Sequence, residues 1–194
     1  MSILNLITKS KIRREIILLF VYNPEKSYYI NETAKLIKTS AGTAQRELER
    51  LAKSDFLLKE KKANLAYFKI NAANPLLSDI KNIIGKTIGL RRILEKELRG
   101  AKDIDFVFLF GSYAKENFKS NSDIDLYVIG EIKESDLYKK IRKAEEQIHR
   151  EINYHLSTRE EFQKKSKQSF FHKEILSKYV LVIGDKNEFE NFIR

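Results

Sequence analysis

The chain has 194 residues, 42% of them apolar and 11% aromatic, enough to bury one large core or two small ones. A charged content of 33%, with Ile16–Tyr22 as the longest apolar stretch, excludes a helical membrane protein. Without cysteine there are no disulfides or thiolate metal sites, and without an apolar leader or cleavage signal the expected location is cytoplasmic. The net charge of +10 is uneven. Residues 1–74 carry 14 Lys/Arg against 7 Asp/Glu, and residues 75–194 carry 23 against 20. An excess of this sign points to nucleic acid contact by the N-terminal third, although a solubilising surface would read the same way. No repeat, low-complexity tract or Pro/Gly-rich linker interrupts the chain.

From Lys9 to Tyr22, residues Ile12, Ile16, Leu19 and Phe20 recur on one helical stripe, which Asn23-Pro24 ends. A short helix is expected from near Asn31, with Ile30, Ala34 and Ile37 inward. Thr39-Ser40-Ala41-Gly42 reads as a tight turn, with Ser40 as N-cap of a helix over about Ala41–Lys53. Its inward stripe is Ala44, Leu48 and Leu51, and its other face offers Thr43, Gln45, Arg46, Glu49 and Arg50. Two strands, Phe56–Glu60 and Leu65–Ile70, are expected around Lys61-Lys62-Ala63-Asn64.

This order resembles the winged helix-turn-helix of ArsR/MarR-type repressors, most of all in the run Ser40–Leu48. The resemblance implies a transcription regulator that lays the third helix in the major groove of double-stranded DNA. By their chemistry Thr43 and Gln45 suit base edges, whereas Arg46, Arg50, Lys61 and Lys62 suit phosphate, with Ser40 at the helix start completing the candidate DNA-binding set. A small helical domain for dimerisation or protein docking is the alternative.

Between residues 75 and 101, Pro75 can open a helix carrying Leu76, Ile80, Ile83, Ile84 and Ile88 at helical spacing. Leu90, Ile93, Leu94 and Leu98 form a second stretch. Gly85 and Gly89 each weaken a helix by about 1 kcal/mol, so a bend or break is expected there, and Gly100 ends the segment. This helical connector is a candidate homodimer interface.

Phe106–Phe110 is an apolar run of strand length, broken by Gly111-Ser112. Ser122–Ile129 alternates polar and apolar residues and closes at Gly130. In a strand, Asp123 and Asp125 would project side by side. Two carboxylates so placed repel unless a proton or cation lies between them, and oxygen-only donors of this kind suit Mg²⁺ with substrate phosphates. Gly111-Ser112 offers N–H groups and a hydroxyl where a triphosphate could lie. A helix over Glu134–Arg150 presents Leu137, Ile141, Ala144 and Ile148. A strand over Glu151–Leu156 has Ile152, Tyr154 and Leu156 on one face and Glu151, Asn153 and His155 on the other. Helices over Thr158–Lys167 and Ser169–Leu176, a strand over Lys178–Ile183 and an amphipathic tail over Asn187–Arg194 complete the chain.

Gly111-Ser112 followed by Ser122-Asp123-Ile124-Asp125-Leu126 resembles the GS and D-x-D signature of the DNA polymerase beta-type nucleotidyltransferase superfamily. Ala114-Lys115 resembles the GSxA[RK]G loop of its minimal members, with Glu116-Asn117 standing where a glycine is common. The resemblance implies a domain that uses Mg²⁺ and ATP or another NTP. Gly111, Ser112 and Lys115 would bind the nucleotide, while Asp123 and Asp125 would be the catalytic metal ligands. It also implies a third carboxylate on the later strand. This sequence has Asn153 at the matching position and Glu151 two residues earlier, so either is a candidate ligand and transfer activity is left open.

The combined expectation is an α+β protein with three parts. These are a winged helix-turn-helix over 1–74, a helical connector over 75–101, and an α/β nucleotidyltransferase-like domain with a mixed sheet over 102–194. The function expected first is DNA-binding transcription regulation by a chain that also carries an Mg-NTP site. The alternative is an active enzyme, antitoxin-type included, transferring a nucleoside monophosphate to a hydroxyl of a protein such as a toxin, a nucleic acid or a small molecule.

Overall fold

A computed structural model of the protein describes residues 9–101, 103–115 and 122–193. The chain divides into two compact units, Met1–Leu90 with Gln147–His149, and Arg91–Glu146 with Arg150–Arg194. The segment 75–101 is therefore shared out, with its first helix in one unit and almost all of its second helix in the other.

In the first unit, α1 (Lys11–Tyr22) starts at Ser10, whose hydroxyl accepts the Arg13 N–H at 3.2 Å. β1 (Tyr28–Tyr29) leads into α2 (Ile30–Leu36), and α3 (Ala41–Lys53) starts at Ser40, whose hydroxyl accepts the Thr43 N–H. Ile16, Leu19, Phe20, Ala44, Leu48 and Leu51 are buried, so the two apolar stripes do face a core. Glu47, one residue off that stripe, is buried as well, and ion pairs from Arg13 at 2.6 Å and Arg50 at 3.3 Å compensate its charge.

β2 (Leu57–Lys62) and β3 (Leu65–Ile70) form an antiparallel hairpin, and β1 adds on the other side of β3 to give the order β1-β3-β2. The expected four-residue lysine loop is shorter than its sequence implies. Lys61 and Lys62 pair with Ala66 and Leu65, leaving Ala63-Asn64 as the turn, with Ala63 at φ +53° as a two-residue hairpin requires. α4 (Leu77–Thr87) runs through Gly85 and breaks at Ile88-Gly89. There the Tyr22 hydroxyl accepts the Leu90 N–H at 2.6 Å, and a Cβ on residue 89 would lie 2.7 Å from that oxygen.

The second unit follows with α5 (Leu90–Leu98), β4 (Ile104–Phe110), α6 (Gly111–Ala114) and β5 (Ile124–Gly130). After them come α7 (Glu134–Ile148), β6 (Ile152–Ser157), α8 (Arg159–Gln168), α9 (Phe170–Ser177), β7 (Val180–Ile183) and α10 (Lys186–Phe192). The sheet has the order β6-β5-β4-β7 and is mixed, because β5 and β6 are parallel while β4 runs antiparallel to both of its neighbours. A parallel pair needs a long crossover, which α7 supplies. That helix ends two residues earlier than its sequence suggests, since His149 takes φ +53° and turns the chain towards β6.

One sheet face carries Phe106, Phe108 and Phe110 of β4 with Tyr127 and Ile129 of β5, packed against Phe162, Ile175 and Phe189. Each fully buried phenylalanine contributes about 1.5–3 kcal/mol of transfer free energy. Val107, Leu109, Leu126 and Val128 alternate with them and are buried too, so this sheet is covered on both faces. α8 is fixed by a capping box in which Thr158 and Glu161 satisfy each other's N–H groups. Among the described residues, no helix is long and apolar enough to cross a membrane.

Candidate nucleotide and metal site

The candidate site lies at the start of β5. Register places Asp125 between Phe110 of β4 and Asn153 of β6, so these three side chains share the aromatic face of the sheet. β5 begins at Ile124, two residues later than the alternation suggests, so Asp123 stands just before the strand. Asp123 is exposed and Asp125 half-buried. Burial holds the Asp125 carboxyl above its ordinary range, the charge of Asp123 adds to that rise, and His155 partly offsets it.

Gly111 explains the sharp break after β4. Its φ is +66°, and a Cβ there would lie 2.5 Å from Oδ2 of Asp125. Only glycine gives both the left-handed backbone and the approach of the turn to the carboxylate. The Ser112 hydroxyl donates to the Asp123 carbonyl at 3.4 Å, and the Arg150 guanidinium donates to the Ser122 carbonyl. The start of β5 is thereby tied to the turn on one side and to the entry of β6 on the other.

Lys115 is exposed and pairs with Glu174 of α9 at 3.4 Å, so a phosphate would compete with that carboxylate for its ammonium. Glu151 precedes β6 and is exposed, whereas Asn153 sits in register beside Asp125. Among the described residues no three His, Cys, Asp or Glu side chains converge as a metal site. Two carboxylates and an amide oxygen still suit Mg²⁺, which binds through one or two carboxylates and completes its shell with water and phosphate oxygens. Glu116 and Asn117, noted in the loop motif, lie outside the described residues.

The strand alternation alone did not reveal the buried contact beneath this site. Tyr127 and His172 meet through Oη and Nε2 at 3.1 Å. Burial raises the proton affinity of the Tyr127 phenolate and lowers that of the His172 imidazole. Only the packing of α9 onto the sheet brings a residue 45 positions away to β5.

In the first unit, the Ser40 hydroxyl caps α3 and also donates to Oγ1 of Thr43 at 2.9 Å. The same Thr43 oxygen accepts from Arg46 at 3.3 Å. Gln45 and Arg46 are exposed on α3, while Arg50 is exposed but engaged by Glu47. Lys61 and Lys62 lie exposed at the end of β2, and the Lys62 ammonium is 5.4 Å from the centre of the Tyr67 ring.

Comparison with curated proteins gives no match. Solved structures similar to this chain include a toxin–antitoxin complex with AMP-PNP, at 17% identity and TM-score 0.41 over 53% of this chain and 80% of that one. The MntA–HepT toxin–antitoxin complex is similar at 15% identity and TM-score 0.37, over 54% and 78%. Tri-AMPylated Shewanella oneidensis HEPN toxin in complex with MNT antitoxin is similar at 16% identity and TM-score 0.35, over 53% and 80%. Likeness at this level carries neither activity nor partner across. The family model for Polymerase beta, Nucleotidyltransferase matches residues 92–188, half of the chain, running from α5 into α10 and spanning Gly111, Ser112, Asp123 and Asp125. The chain belongs to the polymerase beta nucleotidyltransferase family.

Proposed function

We propose that the second unit binds an NTP with Mg²⁺ and transfers its nucleoside monophosphate to a hydroxyl acceptor. The observation that carries this reading is the approach of Gly111 to the half-buried Asp125 carboxylate, with Asp123 beside it. Asp123 and Asp125 would hold the metal, with the Asn153 amide oxygen or Glu151 as the further donor. Bound there, Mg²⁺ supplies neutralisation of phosphate charge and a fixed orientation of the reacting oxygens. Ser112 and the N–H groups of the Gly111 turn would hold the terminal phosphates, and Lys115 would exchange Glu174 for phosphate. The acceptor oxygen forms its bond to the α-phosphorus as the bond to the bridging oxygen breaks, and pyrophosphate leaves. Asn153 cannot take the hydroxyl proton, so that proton passes to solvent.

The test is calorimetric titration of Mg-ATP into wild type and an Asp123→Ala/Asp125→Ala variant, followed by labelled-ATP transfer to candidate acceptors, toxin proteins among them. Micromolar binding that the double variant loses supports the site. Equal binding, or none to either protein, removes it.

A second reading concerns the first unit. We propose that it is a winged helix-turn-helix that binds double-stranded DNA, supported by the exposure of Gln45 and Arg46 on α3 and of Lys61 and Lys62 beside the hairpin turn. Thr43 would join Gln45 at base edges, with Arg46, Arg50, Lys61 and Lys62 on phosphate. Regulation of the chain's own transcription would follow from such binding, and the exposed Leu76, just before α4, and Ile83 on it would serve a homodimer. Anisotropy of labelled duplex DNA should show affinity falling steeply with salt, and Arg46→Ala should reduce that slope by about 1. A flat salt response sinks the DNA reading.

A further inference from the structure

Next to Asp125, at this end of the sheet, lies a set of aromatic rings that the phosphate and metal chemistry does not use. Phe110, which directly precedes Gly111, meets Phe171 of α9 edge-on with ring centres 5.9 Å apart at 84°. His155, two residues beyond Asn153, lies 5.4 Å from Phe171 and stacks on Tyr127 at 5.6 Å and 19°. The Lys115–Glu174 ion pair ties the same helix to the chain just after the glycine turn. The first half of α9 thus stands beside the glycine turn and beside Phe110 and His155, whose strands flank β5 and its Asp125.

Phe170 is 82% exposed and Phe171 39% exposed, and His155 is exposed with them. Every other described phenylalanine of this unit is buried or half-buried, so two phenyl rings left in water here forgo the burial the others have. The apolar patch is also small. Along α9 the outward positions after Phe171 are Lys173, Glu174 and Ser177, all exposed and polar. A patch two rings long that ends in charges has the size of a flat heterocycle rather than of a protein interface.

We propose that Phe170, Phe171 and His155 form the shelf on which the nucleobase of the bound NTP stacks. This rests on the Mg-NTP reading above, and it assigns a place to the part of the nucleotide that Asp123, Asp125 and the glycine turn do not touch. Terminal phosphates at Gly111-Ser112 leave the base beyond the α-phosphate and ribose, and Phe110, the residue before Gly111, is in contact with Phe171. Stacking accepts any base, so the shelf would bind ATP and GTP with similar affinity.

The test compares Mg-ATP with Mg-tripolyphosphate, which has the phosphates and no base, by calorimetry on the full chain. Phe170→Ala and Phe171→Leu should each weaken ATP roughly tenfold and leave tripolyphosphate unchanged. Phe170 is exposed enough that its variant folds, so the result does not depend on the packed Phe171. Unchanged ATP affinity in both variants overturns the shelf. So does unchanged ATP affinity with lost transfer to a protein acceptor, which would make the patch a docking surface. A wild type that binds tripolyphosphate as tightly as ATP overturns the shelf but leaves the phosphate site standing. A wild type that binds neither removes the nucleotide reading itself.

Discussion

The hairpin β2–β3 and the pair β4–β5 are both antiparallel ladders of similar length, yet they are built for opposite surroundings. In β2 only Leu57 is buried, and Lys59, Lys61 and Lys62 point into water. In β4–β5 both faces are covered, and from Leu126 to Gly130 every residue of β5 is buried. The difference bears on where chemistry can happen. A wet ladder can present cations to a polyanion, but water screens any carboxylate placed on it. A dry ladder that carries one carboxylate at its end raises that group's proton affinity, so a cation gains by binding there. Asp125 occupies that end.

The contrast can be broken or sharpened by substitution. Phe108→Ala empties a fully buried position of the dry pair and should cost about 3–5 kcal/mol in urea unfolding. Leu58→Ala on the wet hairpin, where the side chain is 39% exposed, should stay within about 0.5 kcal/mol. Similar losses would end the comparison. Asn153→Asp adds a carboxylate in register with Asp125 and supplies a base, so transfer measured with labelled ATP should rise about a hundredfold. No gain would hand the ligand role to Glu151 or mark the site as inactive.

Gly111→Ala should lose about 1–2 kcal/mol of stability from the left-handed backbone. It should also lose Mg-ATP binding, because the new methyl displaces the Asp125 carboxylate. Retained binding would show that the close approach is not needed. The smallest effect concerns pH. The folded chain binds a proton at Asp125 more tightly than the unfolded chain does, so its ionisation opposes folding at neutral pH. That penalty is absent below the ordinary carboxylate range and grows as pH rises through the elevated folded value. Asp125→Asn should therefore raise Tm slightly at pH 7 without metal and leave it unchanged in acid. A variant less stable at pH 7 would contradict the raised proton affinity.

Much of the fold is legible in local sequence. Ser40 caps α3, the stripe Ala44-Leu48-Leu51 is buried, and Phe106–Phe110 is a buried strand, because each depends on residues a few positions apart. The two-residue β1 carries too short an alternation to register. Lys61 and Lys62 read as loop because lysine disfavours strands, but pairing with Ala66 and Leu65 overrides that preference. Buried Glu47 was hidden for a similar reason, since its partner Arg13 lies 34 residues away on α1.

The sequence by itself determined the two strands, the glycine turn, the D-x-D pair and the absence of a charged residue at 153, since these are chemical identities and short spacings. Only the tertiary structure decided that Asp125 lies against Gly111, that Asn153 rather than Glu151 pairs with it, and that Lys115 turns to Glu174. The same holds for the gathering of Phe171, His155 and Phe110 at this end of the sheet. Register across a parallel pair depends on where α7 ends, and the place of α9 on which aromatic side chains fill the face beneath it. Both are settled by packing between segments far apart in the chain, which no local pattern records.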